Sequence, residues 1–168
     1  MSSSVSQATL DYLARRLDEL AAEFPTSPEA VDPVTLADDI VTLTHHLQQA
    51  TERAQERFTA PATVHAPERL VLLRLAKAAA GIARALDTLT EALTYATADF
   101  QREAVPDLAH SHLRNDPQVL RMLTAEKYVA ARARLRNTAA DLRTTGPPTP
   151  RTTRPATRRA AVPQRTRL

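Results

Sequence analysis

Apolar residues recur at alternating spacings of three and four positions along most of this chain, and that spacing predicts helices packed against other helices. The longest such segment runs from Leu70 to Glu103 without a proline. Its apolar seam consists of Leu72, Leu75, Ala79, Ile82, Leu86, Leu89, Leu93, Ala96 and Phe100. A heptad pattern sustained over four repeats predicts one long helix with a coiled-coil type of contact to its neighbours.

Three shorter segments repeat the pattern, and residues that start or end helices bound each of them. Ser4 and Gln7 fit a capping box, in which both side chains satisfy free backbone N–H groups. Asp32 and Asp116 are each followed by proline, which combines a side-chain cap with a residue suited to the first helical position. The four predicted helices span residues 4–24, 33–60, 66–105 and 117–143.

Short links between successive helices predict antiparallel neighbours, so the expected fold is all-α, an up-and-down four-helix bundle over residues 1–143. The third helix is the predicted spine. Because it is longer than the second helix, we expect the fourth helix to cover its overhang.

Gly81, inside an Ala-rich stretch, predicts a close helix crossing rather than ligand contact. A second apolar face on the fourth helix predicts that this helix contacts more than one neighbour near its start. The face consists of Val119, Leu123, Ala130 and Ala133.

Residues 144–168 form a segment of different composition, with six Arg, five Pro and no acidic residue. Such a segment buries too little apolar surface to offset its ordering entropy, so we predict a disordered basic tail. The preceding part carries 16 basic and 19 acidic residues. The net charge of +3 therefore combines a slightly acidic bundle with a strongly basic tail.

The arginines of the fourth helix and the tail predict a cationic region that binds nucleic acid or another polyanion. The candidate residues are Arg121, Arg132, Arg136, Arg143, Arg151, Arg154, Arg158, Arg159, Arg165 and Arg167. The alternative is a solvated helix face followed by a solubilising tail. No aromatic residues interleave with these arginines, so base stacking and sequence specificity are not expected.

A protein-binding surface is predicted on the second half of the third helix, which has fewer expected neighbours than the first half. Its candidate residues are Leu86, Leu89, Leu93 and Phe100. A partner protein or a second copy of the chain is the expected ligand. Charged residues interrupt every apolar run before the length needed to cross a membrane, and the chain start lacks a secretory pattern, so a cytoplasmic location is expected.

Catalytic and metal chemistry find little support in the sequence. Cys is absent, and no Gly-rich phosphate loop or paired nucleophile and base occurs. Asp107 and His110 have the spacing of one carboxylate-histidine pair, but a di-iron bundle needs a second pair. His45 and His46 are expected on the surface or flank of the second helix. We therefore predict no catalytic, cofactor-binding or metal-binding residues, with a helical enzyme that uses an Arg/Glu-lined pocket as the alternative.

The layout of residues 32–103 combines a His45-His46-Leu47 segment with a long Leu/Ala-rich helix. In this layout the chain resembles uncharacterised helical proteins of actinobacteria, a resemblance that implies no particular activity. The functional hypothesis is thus a non-enzymatic helical interaction module with a basic tail, and a purely structural protein remains a second alternative.

Overall fold

Four α-helices form the structure, a computed structural model that describes residues 5–104 and 116–144. They are α1 (Gln7–Glu23), α2 (Pro33–Phe58), α3 (Ala66–Ala104) and α4 (Pro117–Arg143). Short 3-10 turns at Pro28–Ala30 and Pro61–Thr63 lie in the links on either side of α2. No strand occurs within the described ranges, and the all-α prediction is confirmed.

Three of the four helix starts agree with the sequence prediction, at Pro33, Ala66 and Pro117. The Asp32 carboxylate accepts a hydrogen bond from the Thr35 amide at 2.8 Å, and Asp116 accepts one from the Gln118 amide at 2.9 Å. α1 begins later than predicted because Ser6, not Ser4, is its N-cap. The Ser6 amide donates to the Thr9 hydroxyl at 3.4 Å, while Ser4 lies outside the described residues.

The helices pack in an up-and-down bundle in which α3 is the spine, as predicted. α3 packs against both α2 and α4, and α4 packs in turn against α1. The fully buried side chains repeat every seven residues along each helix, so each turns one stripe inward. They include Leu10 and Leu17 of α1, Leu36 and Leu43 of α2, Leu75, Ile82 and Leu89 of α3, and Tyr128, Leu135 and Leu142 of α4.

A buried ion pair sets the register of α2 against α3. Arg57 donates from Nε to Glu68 Oε1 at 2.8 Å and from Nη2 to Oε2 at 2.9 Å. Glu68 Oε1 also accepts from the Val5 amide at 3.1 Å, which ties the chain before α1 to the same corner. The Arg57 hydrogen bonds are the main cause that lowers the pKa of Glu68, so this carboxylate stays ionised in the fold.

Close approach distinguishes the contact of α3 with α4. A Cβ atom added at Gly81 would overlap the Thr138 hydroxyl and lie 3.0 Å from Thr138 Cγ2. Only glycine leaves room for α4 at this depth, so the predicted packing role of Gly81 is confirmed.

The C-terminal part of α3 extends beyond α2. From the Arg57–Glu68 register, the first residue of α2 lies opposite about residue 92 of α3, which leaves roughly 12 residues, or about 18 Å, of overhang. α4 covers this overhang, where Asp99 pairs with Arg121 at 2.9 Å, and Glu91 just before the overhang pairs with Lys127 at 2.7 Å. The bundle therefore ends in a projecting α3–α4 pair.

Candidate protein-interaction surface

The strip predicted on α3 divides between the core and the surface. Leu89 is fully buried, and Leu86 and Leu93 are half-buried against the core. Phe100 is 64% exposed. It has the same heptad phase as Leu86 and Leu93, but it lies on the part of α3 that extends beyond the first residue of α2. What a partner can reach along this strip is Phe100 together with the outer edges of Leu86 and Leu93.

Three of the four predicted arginines on α4 make contacts within the bundle. Arg121 pairs with Asp99 at 2.9 Å, and Arg143 pairs with Asp18 at 2.5 Å. Arg132 donates to the carbonyl oxygens of Phe24 and Pro25, the latter at 3.2 Å, and so satisfies carbonyl groups at the C-terminal end of α1.

Arg136 is the remaining member of the predicted set on α4. It is exposed and makes no hydrogen bond or ion pair with the described residues. The six tail arginines lie outside the described residues: Arg151, Arg154, Arg158, Arg159, Arg165 and Arg167. Of the four predicted arginines that the structure describes, three are engaged within the bundle, and these four do not converge on a common site.

A stripe of exposed residues runs along the side of α4 that faces away from α1 and α3, and we call it the outer stripe. It consists of Val119, Met122, Glu126, Val129, Ala133, Arg136 and Ala140. Met122 is 61% exposed and Val129 is 53% exposed. Successive members are three or four positions apart, so the stripe has the spacing of a second helix-packing seam, and none of the described helices packs on it.

The second apolar face predicted on α4 has no further helical neighbour among the described residues. Leu123 and Ala130 are half-buried, whereas Val119 and Ala133 are exposed. α4 does contact more than one neighbour, since it packs against both α3 and α1, but no described helix covers the exposed members of this face. Sequence reasoning missed Met122 and Val129, although the unbroken three-four spacing from Val119 to Ala140 was the signal that could have identified them.

His46 is buried against α1, while His45 is exposed. A small cavity beside it has room for about one water molecule and is lined by Thr9, Tyr12, Leu13, His46, Gln49, Ala50, Arg53 and Leu75. Burial, followed by the charges of Arg16 and His45, lowers the pKa of His46. The neutral imidazole is therefore favoured in the fold.

A buried polar contact joins α4 to α2. The Tyr128 hydroxyl donates to Asp39 Oδ2 at 2.8 Å, and the Tyr128 ring meets Phe24 edge to face with centroids 5.2 Å apart. Burial raises the pKa of Asp39, the Tyr128 hydrogen bond opposes this rise, and Glu23 and Asp38 add to it. Burial and the Asp39 contact raise the pKa of Tyr128, which keeps its hydroxyl protonated as a donor.

Neither a metal cluster nor a membrane-crossing helix occurs in the described ranges. No three His, Asp or Glu side chains converge there as metal ligands. None of the described helices combines the length and the apolar character needed to span a bilayer. Asp107 and His110, which have the spacing of one carboxylate-histidine pair, lie outside these ranges.

Comparisons of the chain with protein-family models, with curated proteins and with solved structures found no match in any of the three.

Proposed function

We propose that this chain is a non-enzymatic helical interaction module of the cytoplasm that binds a protein partner or a second copy of itself. The observation that carries the proposal is the outer stripe of α4. Met122 and Val129 expose more than half of their side-chain surface, although the opposite side of the same helix is packed in the core. A helix with one apolar side in the core and another in solvent has the pattern used for coiled-coil association and for docking to a partner helix.

Phe100 supplies a second exposed apolar side chain on the projecting α3–α4 pair. It belongs to the predicted strip of Leu86, Leu89, Leu93 and Phe100, and Leu89 within that strip supports the fold instead of a partner. A partner that binds the strip would therefore contact mainly Phe100. We expect this contact to be secondary to the outer stripe, because a lone exposed aromatic residue is common on protein surfaces.

A site-specific photo-crosslinker at Met122 tests the module in the cells that make the protein. We expect a covalent adduct with a defined partner, since Met122 is the most exposed large apolar residue of the stripe. The same crosslinker at Ala37, which is exposed on α2, is the control and should give no adduct. Absence of an adduct from both Met122 and Val129 would contradict the proposed function.

The basic tail, residues 144–168, is proposed to add affinity for nucleic acid or another polyanion. Six Arg without a compensating acid support this role, because binding to phosphates releases condensed counterions. Retention on DNA or RNA should fall steeply with salt and disappear when residues 144–168 are deleted. Equal retention without the tail would contradict this role of the tail.

A further inference from the structure

The outer stripe has a charge pattern that selects one kind of partner. It has Glu126 in its first half and Arg136 in its second half. Both side chains are exposed, and neither makes a hydrogen bond or an ion pair within the part of the chain that the structure describes. A charge in the middle of a helix-packing seam is costly unless a partner of opposite charge meets it, so the two charges fix the alignment of whatever packs there.

A second copy of α4 in the antiparallel direction satisfies both charges at once. When Glu126 lies opposite Arg136 of the second copy, two-fold symmetry places Arg136 opposite Glu126 of that copy. A parallel alignment in register would instead place Glu126 against Glu126 and Arg136 against Arg136. Like charges at these positions repel, so the antiparallel alignment is the favoured one.

The same alignment pairs large side chains with small ones. Val129 falls opposite Ala133 of the second copy, and Met122 falls opposite Ala140. In heptad terms each of these layers joins an a position to a d position, which is the combination that antiparallel helix pairs use. The alanines leave room for the larger side chains, so the two helix axes can approach closely along the stripe.

We infer that the outer stripe of α4 is a homodimer interface, in which two copies of α4 pack antiparallel about a two-fold axis with reciprocal Glu126–Arg136 ion pairs. The inference rests on the proposed function and names the partner of the same surface. One helix from each copy forms a contact at the small end of interface sizes, below about 1,200 Å² in total, so the dimer should be weak and depend on concentration.

Sedimentation equilibrium of the purified full-length chain, from micromolar to submillimolar concentration, tests the inference. The wild-type chain should reach the mass of a dimer. Glu126→Arg and Arg136→Glu should each raise the dissociation constant on the order of tenfold or more, because each change replaces both ion pairs with two repulsive contacts. The double variant Glu126→Arg/Arg136→Glu should recover most of the lost affinity.

Matched charge reversals away from the stripe are the controls. Glu56→Arg on α2 and Arg15→Glu on α1 change the net charge by the same amounts at exposed positions and should leave the dissociation constant unchanged. Circular dichroism should show unchanged helix content in every variant. Met122→Glu gives an independent test, because it places a charge against the apolar layer and should dissociate the dimer without unfolding the chain.

Three results would overturn the homodimer. They are a strict monomer at every concentration, a dimer that the single reversals do not weaken, and a double variant that fails to recover. A monomeric chain that still forms a Met122 adduct with a different protein in cells would leave the proposed function standing. A monomer with no adduct at Met122 or Val129 would remove both.

Discussion

α3 packs against α2 with large side chains and against α4 with small ones. Toward α2, the register set by Arg57 and Glu68 aligns large apolar residues of both helices, which include Leu36 and Leu43 of α2 and Leu75, Ile82 and Leu89 of α3. Toward α4, the buried residues are small, and they include Gly81, Ala85, Thr88 and Ala92 of α3 and Thr124, Ala131 and Thr138 of α4.

One helix can therefore stabilise its contacts with two neighbours by different physical means. Large side chains stabilise the α2 face chiefly by removing apolar surface from water. Small side chains stabilise the α4 face by letting the backbones approach, which increases van der Waals contact along both helices. A substitution should therefore be costly toward α2 when it removes volume, and costly toward α4 when it adds volume.

Removal of a large side chain from the side of α3 that faces α2 should cause the largest loss of stability. Leu89 is fully buried, so Leu89→Ala should lower the free energy of unfolding by about 3 kcal/mol. Leu73 lies on the same helix and is 53% exposed, so Leu73→Ala is a matched control that should change it by less than about 0.5 kcal/mol. Urea unfolding followed by circular dichroism measures both. Equal costs for the two variants would contradict the burial of Leu89.

Addition of volume on the α4 face should be the next most costly change. Gly81→Val forces a branched side chain against Thr138 and should lower stability by about 2 kcal/mol. Ala80→Val, at an exposed position next to it, is the control and should show only the small helix-propensity cost of valine.

A double substitution locates the source of that cost. Gly81→Ala should be less unfavourable in a Thr138→Ala background than in the wild type, because the Thr138 hydroxyl is what the new Cβ would meet. Thermal unfolding of the four chains of this cycle gives the coupling. A coupling near zero would mean that the backbone, not Thr138, limits the approach of the two helices.

Tyr128 is a large buried residue of α4 that points away from the small-residue face, toward Asp39 of α2 and Phe24. Tyr128→Phe leaves the half-buried Asp39 carboxylate without its hydroxyl donor and should lower stability by about 1.5 kcal/mol. Asp39→Asn keeps an acceptor for Tyr128 and removes a charge near Glu23 and Asp38, so it should be less costly at neutral pH. The reverse order in denaturant unfolding would contradict this assignment.

The smallest expected effect concerns pH at the α1–α2 contact. The pKa of His46 is lowered in the fold, so between its folded value and the ordinary value of 6.5 the unfolded chain binds more protons. The contribution of His46 is therefore fully present above about pH 6.5 and decreases as the pH falls below that value.

Two glutamine variants isolate this contribution. His46→Gln should flatten the decrease in stability between neutral and mildly acidic pH, whereas His45→Gln at the neighbouring exposed position should retain it. Thermal unfolding across that pH range measures the difference. The same slope in both variants would show that another group is responsible.

Local signals in the sequence were sufficient for most of the secondary structure. Asp32 and Asp116 cap the helices that they were predicted to cap, and proline follows each of them. The start of α1 was misplaced because the Ser4–Gln7 spacing fits a capping box, whereas Ser6 is the N-cap in the structure, and sequence spacing does not fix a helix start to within two residues. The length of α3 and its overhang also followed from periodicity, since helix length is a property of one segment.

The interaction surface depended on information that no single segment contains. α4 carries apolar residues on more than one face, and only the positions of α1 and α3 decide that Tyr128 and Leu135 turn inward while Met122 and Val129 remain outside. Likewise, Leu89 belongs to the core because α2 reaches its level, and Phe100 is exposed because α2 begins too late to cover it.

Local sequence patterns thus predicted which segments are helical, where most of them begin and how far the third one extends. The packing of the helices was needed to show which side chains are buried, which arginines are engaged within the bundle and which stripe is exposed. The physical reason is that helix formation and capping act within a few residues, whereas burial depends on the register and length of neighbouring helices.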